Sequence, residues 1–137
     1  MKNEKDFSRK LREKCSGPNL KFYTFENCGS QSVPDLHFVP RGSNSGWLEL
    51  KFAKTDAERI AWRPGQQMWL RHHAEAGGKA MLMIYLDETD EVIVMSAFVA
   101  GGLDPATKLF EAARKAIVIP ISERGWQAVT RYLTPER

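Results

Sequence analysis

Apolar and polar residues alternate with period two from Asp35 to Phe52, with one interruption. Leu36 and Phe38 fall on one side of the first run, with Asp35 and His37 opposite. Leu48, Leu50 and Phe52 fall on one side of the second, with Trp47, Glu49 and Lys51 opposite. The stretch Arg41-Gly-Ser-Asn-Ser-Gly46 between them is built of turn residues, so the pattern predicts a hairpin. Upstream, Phe7, Leu11 and Cys15 recur at helical spacing and predict an amphipathic helix over residues 3–15, ended by Gly17-Pro18. Leu20 to Glu26 alternates partly and predicts a strand.

Downstream, Pro64 opens a helix that Gly77-Gly78 closes, with Gln66, Trp69, Leu70 and His73 on one stripe. The stretch from Lys79 to Leu86 is apolar on both faces, as a central strand covered on both sides requires. Asp87 to Asp90 predicts a turn, and Val92 to Phe98 a further strand. Asp104-Pro105 predicts the start of a helix to about Lys115, with Leu109, Phe110 and Ala113 inward. Ile117 to Ile121 predicts a short strand, and Ser122 caps a last helix carrying Trp126, Val129 and Leu133. The order is α-β-β-β-α-β followed by β-α-β-α, which suits a mixed α/β fold.

Composition changes this picture little. A chain of 137 residues suits one domain, with 42% hydrophobic and 27% charged residues as in ordinary globular proteins. No apolar run approaches the roughly 20 residues that span a bilayer, and no secretory signal opens the chain. Cys15 and Cys28 are too few for a disulfide scaffold and lack zinc-ligand spacing, so they read as reduced thiols of a cytoplasmic protein. A net charge of +3 permits a nucleic-acid partner without demanding one.

The chemistry lies on the polar face of the hairpin. Glu49 and Lys51 are two residues apart and point the same way, about 6.6 Å from one another along the strand. Asp35 stands on the neighbouring strand, about 4.8 Å away laterally if the register allows. Two carboxylates and an ammonium on one sheet face are poor packing and a good site: hard oxygen ligands for Mg²⁺, with a cation for an anionic oxygen or a water.

Pro34-Asp35, a spacer, then Glu49-Leu50-Lys51 resembles the signature of the PD-(D/E)xK nuclease superfamily, and the setting resembles its VRR-NUC and phage Holliday-junction-resolvase branch. The resemblance covers roughly residues 3–87. It implies a restriction-endonuclease-like αβββαβ core with a mixed central sheet flanked by helices, followed by a C-terminal βαβα extension over about 91–137. It implies Asp35, Glu49 and the Leu50 carbonyl as ligands of Mg²⁺, for which Mn²⁺ would substitute, and Lys51 as the residue that orients water or steadies the phosphate. Glu4-x-x-Phe7-x-x-x-Leu11 has the spacing of a first-helix acid that reaches the metal in resolvase-like members. Its plain alternative is a favourable acid in a first helical turn.

Gln66, not Gln67, matches the glutamine that lies beside the active site in such nucleases, and an amide on an apolar stripe needs a partner in any case. Glu26 reads as a surface acid or an acid near the metal. His72 and His73 point about 100° apart on a helix and read as a surface pair. Arg9, Arg12, Lys54, Arg59 and Arg63 are the cations that would meet phosphates. The implied activity is cleavage of branched DNA by a homodimer. The alternatives are a flap, nicking or less selective nuclease, and a non-catalytic DNA-binding module.

Overall fold

Asn3 starts the first helix: its side chain accepts a hydrogen bond from the Asp6 N–H (2.9 Å), which places Glu4 in the first turn. That helix, α1 (Glu4–Cys15), is followed by β1 (Leu20–Thr24), β2 (Leu36–Pro40) and β3 (Gly46–Ala53). Then come α2 (Gln66–Glu75), β4 (Ala80–Leu86), β5 (Glu91–Ser96), α3 (Ala97–Gly101) and α4 (Leu109–Ala112). A 3₁₀ turn (Ala113–Lys115), β6 (Ile117–Pro120) and α5 (Gly125–Leu133) complete the order. The computed structural model describes residues 1–25, 32–122 and 124–135.

The six strands form one sheet in the order β1-β2-β3-β4-β5-β6. Only β3 and β4 run parallel; the other neighbours are antiparallel. A parallel pair cannot be joined by a tight turn, and the crossover that joins this one carries α2 over the sheet. The period-two alternation then decides what each face buries. Leu36, Phe38, Leu48 and Leu50 point to the side covered by α1 and α5, where Phe7, Leu11, Val129 and Leu133 complete the core. Leu82, Ile84, Ile93 and Met95 point to the other side and meet Leu70 of α2, Ala97 and Ala100 of α3, and Leu109 and Ala112 of α4. β4 is buried along its whole length, as its unbroken apolar run requires. Among the described residues no helix is long and apolar enough to cross a membrane.

The expected restriction-endonuclease-like αβββαβ core with a mixed, helix-flanked sheet is present. Several local expectations change. The strand expected over Val92 to Phe98 stops at Ser96, whose hydroxyl accepts from the Val99 N–H (3.2 Å) and caps α3. The helix expected from Asp104 to Lys115 is broken: Asp104 accepts from the Ala106 N–H (2.8 Å) in a local turn, and helix begins only at Leu109. Phe110, expected inward, is exposed, and Ala112 takes the buried position beside Leu109. The last helix starts at Gly125 rather than at Ser122. Glu26 and Cys28 lie outside the described residues.

Phe7 is fully buried and its ring lies 5.7 Å from that of Tyr85, so it seats the first turn of α1 on the sheet. Phe7→Ala removes that contact and leaves a cavity. It is expected to cost about 3 to 5 kcal/mol in urea denaturation; a loss below about 1 kcal/mol would show that the helix is not anchored there.

Candidate active site

The hairpin register places the acids side by side. Leu36 pairs with Leu48, His37 with Trp47 and Phe38 with Gly46. Asp35, one step before Leu36, therefore stands across from Glu49, one step after Leu48. The close start of β3 requires glycine at position 46, where a Cβ would lie 2.8 Å from the Phe38 ring. Pro34 is buried, Asp35 is exposed, and the Asp35 carbonyl accepts from the Phe25 N–H (2.9 Å), which ties this end of β2 to β1.

Glu49 and Lys51 are almost wholly buried, at 1% and 3% exposure, on the face that also carries Trp47. A third polar side chain, Gln66, lies with them at 1% exposure. Its Nε2 donates to Glu49 Oε1 (2.5 Å). Its Oε1 accepts from Lys51 Nζ (2.8 Å) and from the Arg63 N–H (2.8 Å). Two donors face the amide oxygen and a carboxylate faces the amide nitrogen, so only one orientation of this amide satisfies its neighbours. Lys51 Nζ is itself 3.6 Å from Glu49 Oε1. Gln66 reaches this place because it is the first residue of α2. Gly65 before it adopts φ 83°, a left-handed conformation that glycine accepts freely, and a Cβ there would meet Ser32 at 2.9 Å.

Burial pushes the Glu49 carboxyl up to about 7; the Lys51 charge opposes this shift, while the Asp35 and Glu4 charges reinforce it. Glu4 is raised as well, first by burial, with Lys51 and Arg63 pulling it back and Asp35 adding to it. Its carboxylate lies 3.7 Å from the Arg63 guanidinium. Asp35 just before β2, Glu49 and Lys51 of β3 and Glu4 of α1 thus act on one another electrostatically, and Gln66 of α2 binds the buried pair.

Glu49 Oε2 is buried and has no hydrogen-bond partner among the described residues. A buried carboxylate oxygen of this kind is costly to leave bare and suits a bound cation. Among the described residues no three acid, histidine or cysteine side chains converge closely enough to form a metal cage. Mg²⁺ takes one or two carboxylates and keeps several waters, so a pair of acids can hold it. Asp35 and Glu49 would supply the carboxylates, with the Leu50 carbonyl beside them.

Of the five cations expected to meet phosphate, Arg63 joins the acids. Arg9 pairs with Asp6 on α1 (3.0 Å), and Arg12 donates to the Ser8 carbonyl (3.2 Å). Lys54 and Arg59 are exposed in the connection after β3, where Arg59 bridges to Lys108. His72 is exposed, whereas His73 stacks on Trp69 (4.6 Å between ring centres). Sequence reasoning passed over the ring cluster on the site face, in which Trp47 meets His37 (4.5 Å), Phe25 (5.2 Å) and Trp69 (5.9 Å). The alternation that put Trp47 and His37 beside Glu49 and Asp35 was the available signal.

The raised Glu49 carboxyl fixes the sign of a pH effect. Its folded form binds a proton more tightly than the unfolded chain does, so its contribution to stability is full below about 4.5 and is lost as pH rises through about 7. Glu49→Gln removes this loss. In EDTA its urea stability relative to wild type is expected to climb by about 2 to 3 kcal/mol between pH 5 and pH 8. The broken pair with Lys51 shifts the level of that difference and not its slope; a flat difference would contradict the burial of an ionising group here.

No family model matches the chain, and no curated protein matches it. Among solved structures it is similar to Hjc from Archaeoglobus fulgidus, a Holliday junction resolvase from an archaeal hyperthermophile, with 13% sequence identity and a TM-score of 0.52. The match covers 95% of this chain and 96% of that one. The chain therefore has the fold of that resolvase over nearly its whole length.

Proposed function

We propose that this chain is a Mg²⁺-dependent, structure-selective DNA endonuclease of the Holliday-junction-resolvase kind. The observation that carries the reading is the buried Glu49–Gln66–Lys51 group, with Asp35 across the hairpin, on a fold shared with a junction resolvase.

The demands of the reaction explain the residues. A phosphodiester repels hydroxide, and its transition state gathers negative charge on the phosphoryl oxygens. A divalent ion bound at Asp35 and Glu49 would supply Lewis acidity and a water that is nucleophilic near neutral pH. Glu49 offers its unpartnered Oε2 to that role while Oε1 stays held by Gln66. Lys51, its ammonium held by the hydrogen bond to Gln66, would steady the attacking water or the phosphate. Gln66 fixes the geometry: it sets the spacing of the acid and the amine and leaves neither to rotate. Glu4, whose carboxyl feels the charges of Lys51 and Asp35, would complete the acid set.

Selectivity for branched DNA needs shape and backbone contacts, not a base-reading element. Symmetric cleavage of a four-way junction needs two active sites, and the described residues offer one, at Asp35 and Glu49, so a two-fold homodimer is the economical assembly.

Wild type and Lys51→Ala on a labelled four-way junction, each with Mg²⁺ or EDTA, test the reading. Wild type should cut only with Mg²⁺, and the variant should be slower by about 10²- to 10³-fold, the scale of one lost preorganised electrostatic group. Equal products from both proteins would remove the assignment. Flap, single-stranded and linear duplex substrates cut as fast as the junction would make it a less selective nuclease, and binding without cleavage a DNA-binding module.

A further inference from the structure

Arg63 is held in two different ways. Its backbone is pinned to the start of α2: its N–H donates to Gln66 Oε1 (2.8 Å), and its carbonyl accepts from the Gln66 N–H (3.2 Å). Its side chain is held loosely. The guanidinium stands 3.7 Å from Glu4 Oε1, beyond the 2.7 to 2.9 Å typical of a charge-assisted hydrogen bond. Both partners are partly in water, at 47% and 31% exposure. The Cα is therefore fixed at the edge of the acid cluster while the charge at the end of the side chain is free to change partners.

The charge count gives that freedom a purpose. Asp35, Glu4 and Glu49 set three carboxyl groups against the two cations Lys51 and Arg63. Lys51 is buried and committed to Gln66. Arg63 is the cation able to leave. A divalent ion beside Glu49 would add positive charge to the field that Glu4 shares with Lys51, Asp35 and Arg63, and would so compete with Arg63 for the Glu4 carboxylate.

We infer that Arg63 is an exchangeable stand-in cation: its guanidinium holds Glu4 until a divalent ion takes that carboxylate, and then turns to a phosphate of the substrate. The inference rests on the metal-dependent reading above and adds an order to it, cation first and Arg63–phosphate contact second. The guanidinium is well suited to the second step, since its planar fork matches phosphate oxygens two at a time.

The sign of the effect on cation binding separates this role from a structural one. In calorimetric titration with Mg²⁺ and no DNA, Arg63→Gln should bind the ion about two- to fivefold more tightly than wild type, the scale of a partly exposed ion pair. Arg63→Lys should stay near wild type. In a Glu4→Gln background the Arg63 substitution should have no further effect. Unchanged or weaker Mg²⁺ binding by Arg63→Gln would overturn the inference, and so would equal tightening in the Glu4→Gln background, which a charge acting through space without holding Glu4 would give.

The second half is read on junction DNA in the Lys51→Ala background. There Arg63→Gln should weaken binding several-fold and reduce the salt dependence by about one phosphate contact with Mg²⁺ present, and change little in EDTA. An equal loss in both conditions would overturn the exchange. Wild type that binds no Mg²⁺ at all would sink the metal-dependent reading together with this one. Wild type that binds it, with an Arg63→Gln isotherm that does not tighten, would sink this one alone.

Discussion

The side-chain amide of Gln66 is the contact on which the rest of the site depends. Strand β3 buries an acid and an amine on the face that α2 covers, and neither could stay there alone. An unpaired ion in an apolar layer costs several kcal/mol, and a bare ion pair at 3.6 Å recovers only part of that. One amide meets both needs, donating to Glu49 and accepting from Lys51. The arrangement is still incomplete, since Glu49 Oε2 keeps an unmet demand. Apolar side chains of similar volume could fill this layer without loss of stability, so packing does not account for the polar group.

The architecture explains how distant segments meet there. The hairpin brings Asp35 opposite Glu49 through its register, and the parallel crossover returns the chain so that the start of α2 sits over β3. The first helix packs on the other side of the sheet through Phe7 and Leu11, yet its first turn extends far enough for Glu4 to feel the charges of Lys51 and Asp35. The likeness in fold to an archaeal resolvase at 13% identity is understandable in these terms. A shared fold requires a strand order, a crossover and apolar positions facing two layers, and those layers can be refilled in many ways.

How much of this was legible in the sequence varies with the physics of each segment. Period two over 47–53 separated Glu49 and Lys51 from Leu48 and Leu50 without ambiguity, because a strand with one polar face has a single way to lie on a core. Gln66 was legible as a polar residue on an apolar stripe. Arg63 was visible only as a cation, since its decisive backbone hydrogen bond depends on the Gly65 conformation and leaves no side-chain signal. The stretch from Val92 to Lys115 misled for another reason. Its apolar residues fit strand and helix alike, and the outcome rests on local competition: the Ser96 hydroxyl caps a helix and the Asp104 carboxylate diverts the backbone into a turn.

The neighbour order of the sheet is also the order in which its strands are made. Each new strand leaving the ribosome finds its partner already in place as the growing edge, and no later segment has to be threaded between two earlier ones. Every residue assigned to the chemistry lies at or before Gln66. The candidate residues are thus all made before β4, yet Tyr85 of β4 packs on Phe7, so the first turn of α1 is seated only once that strand has joined.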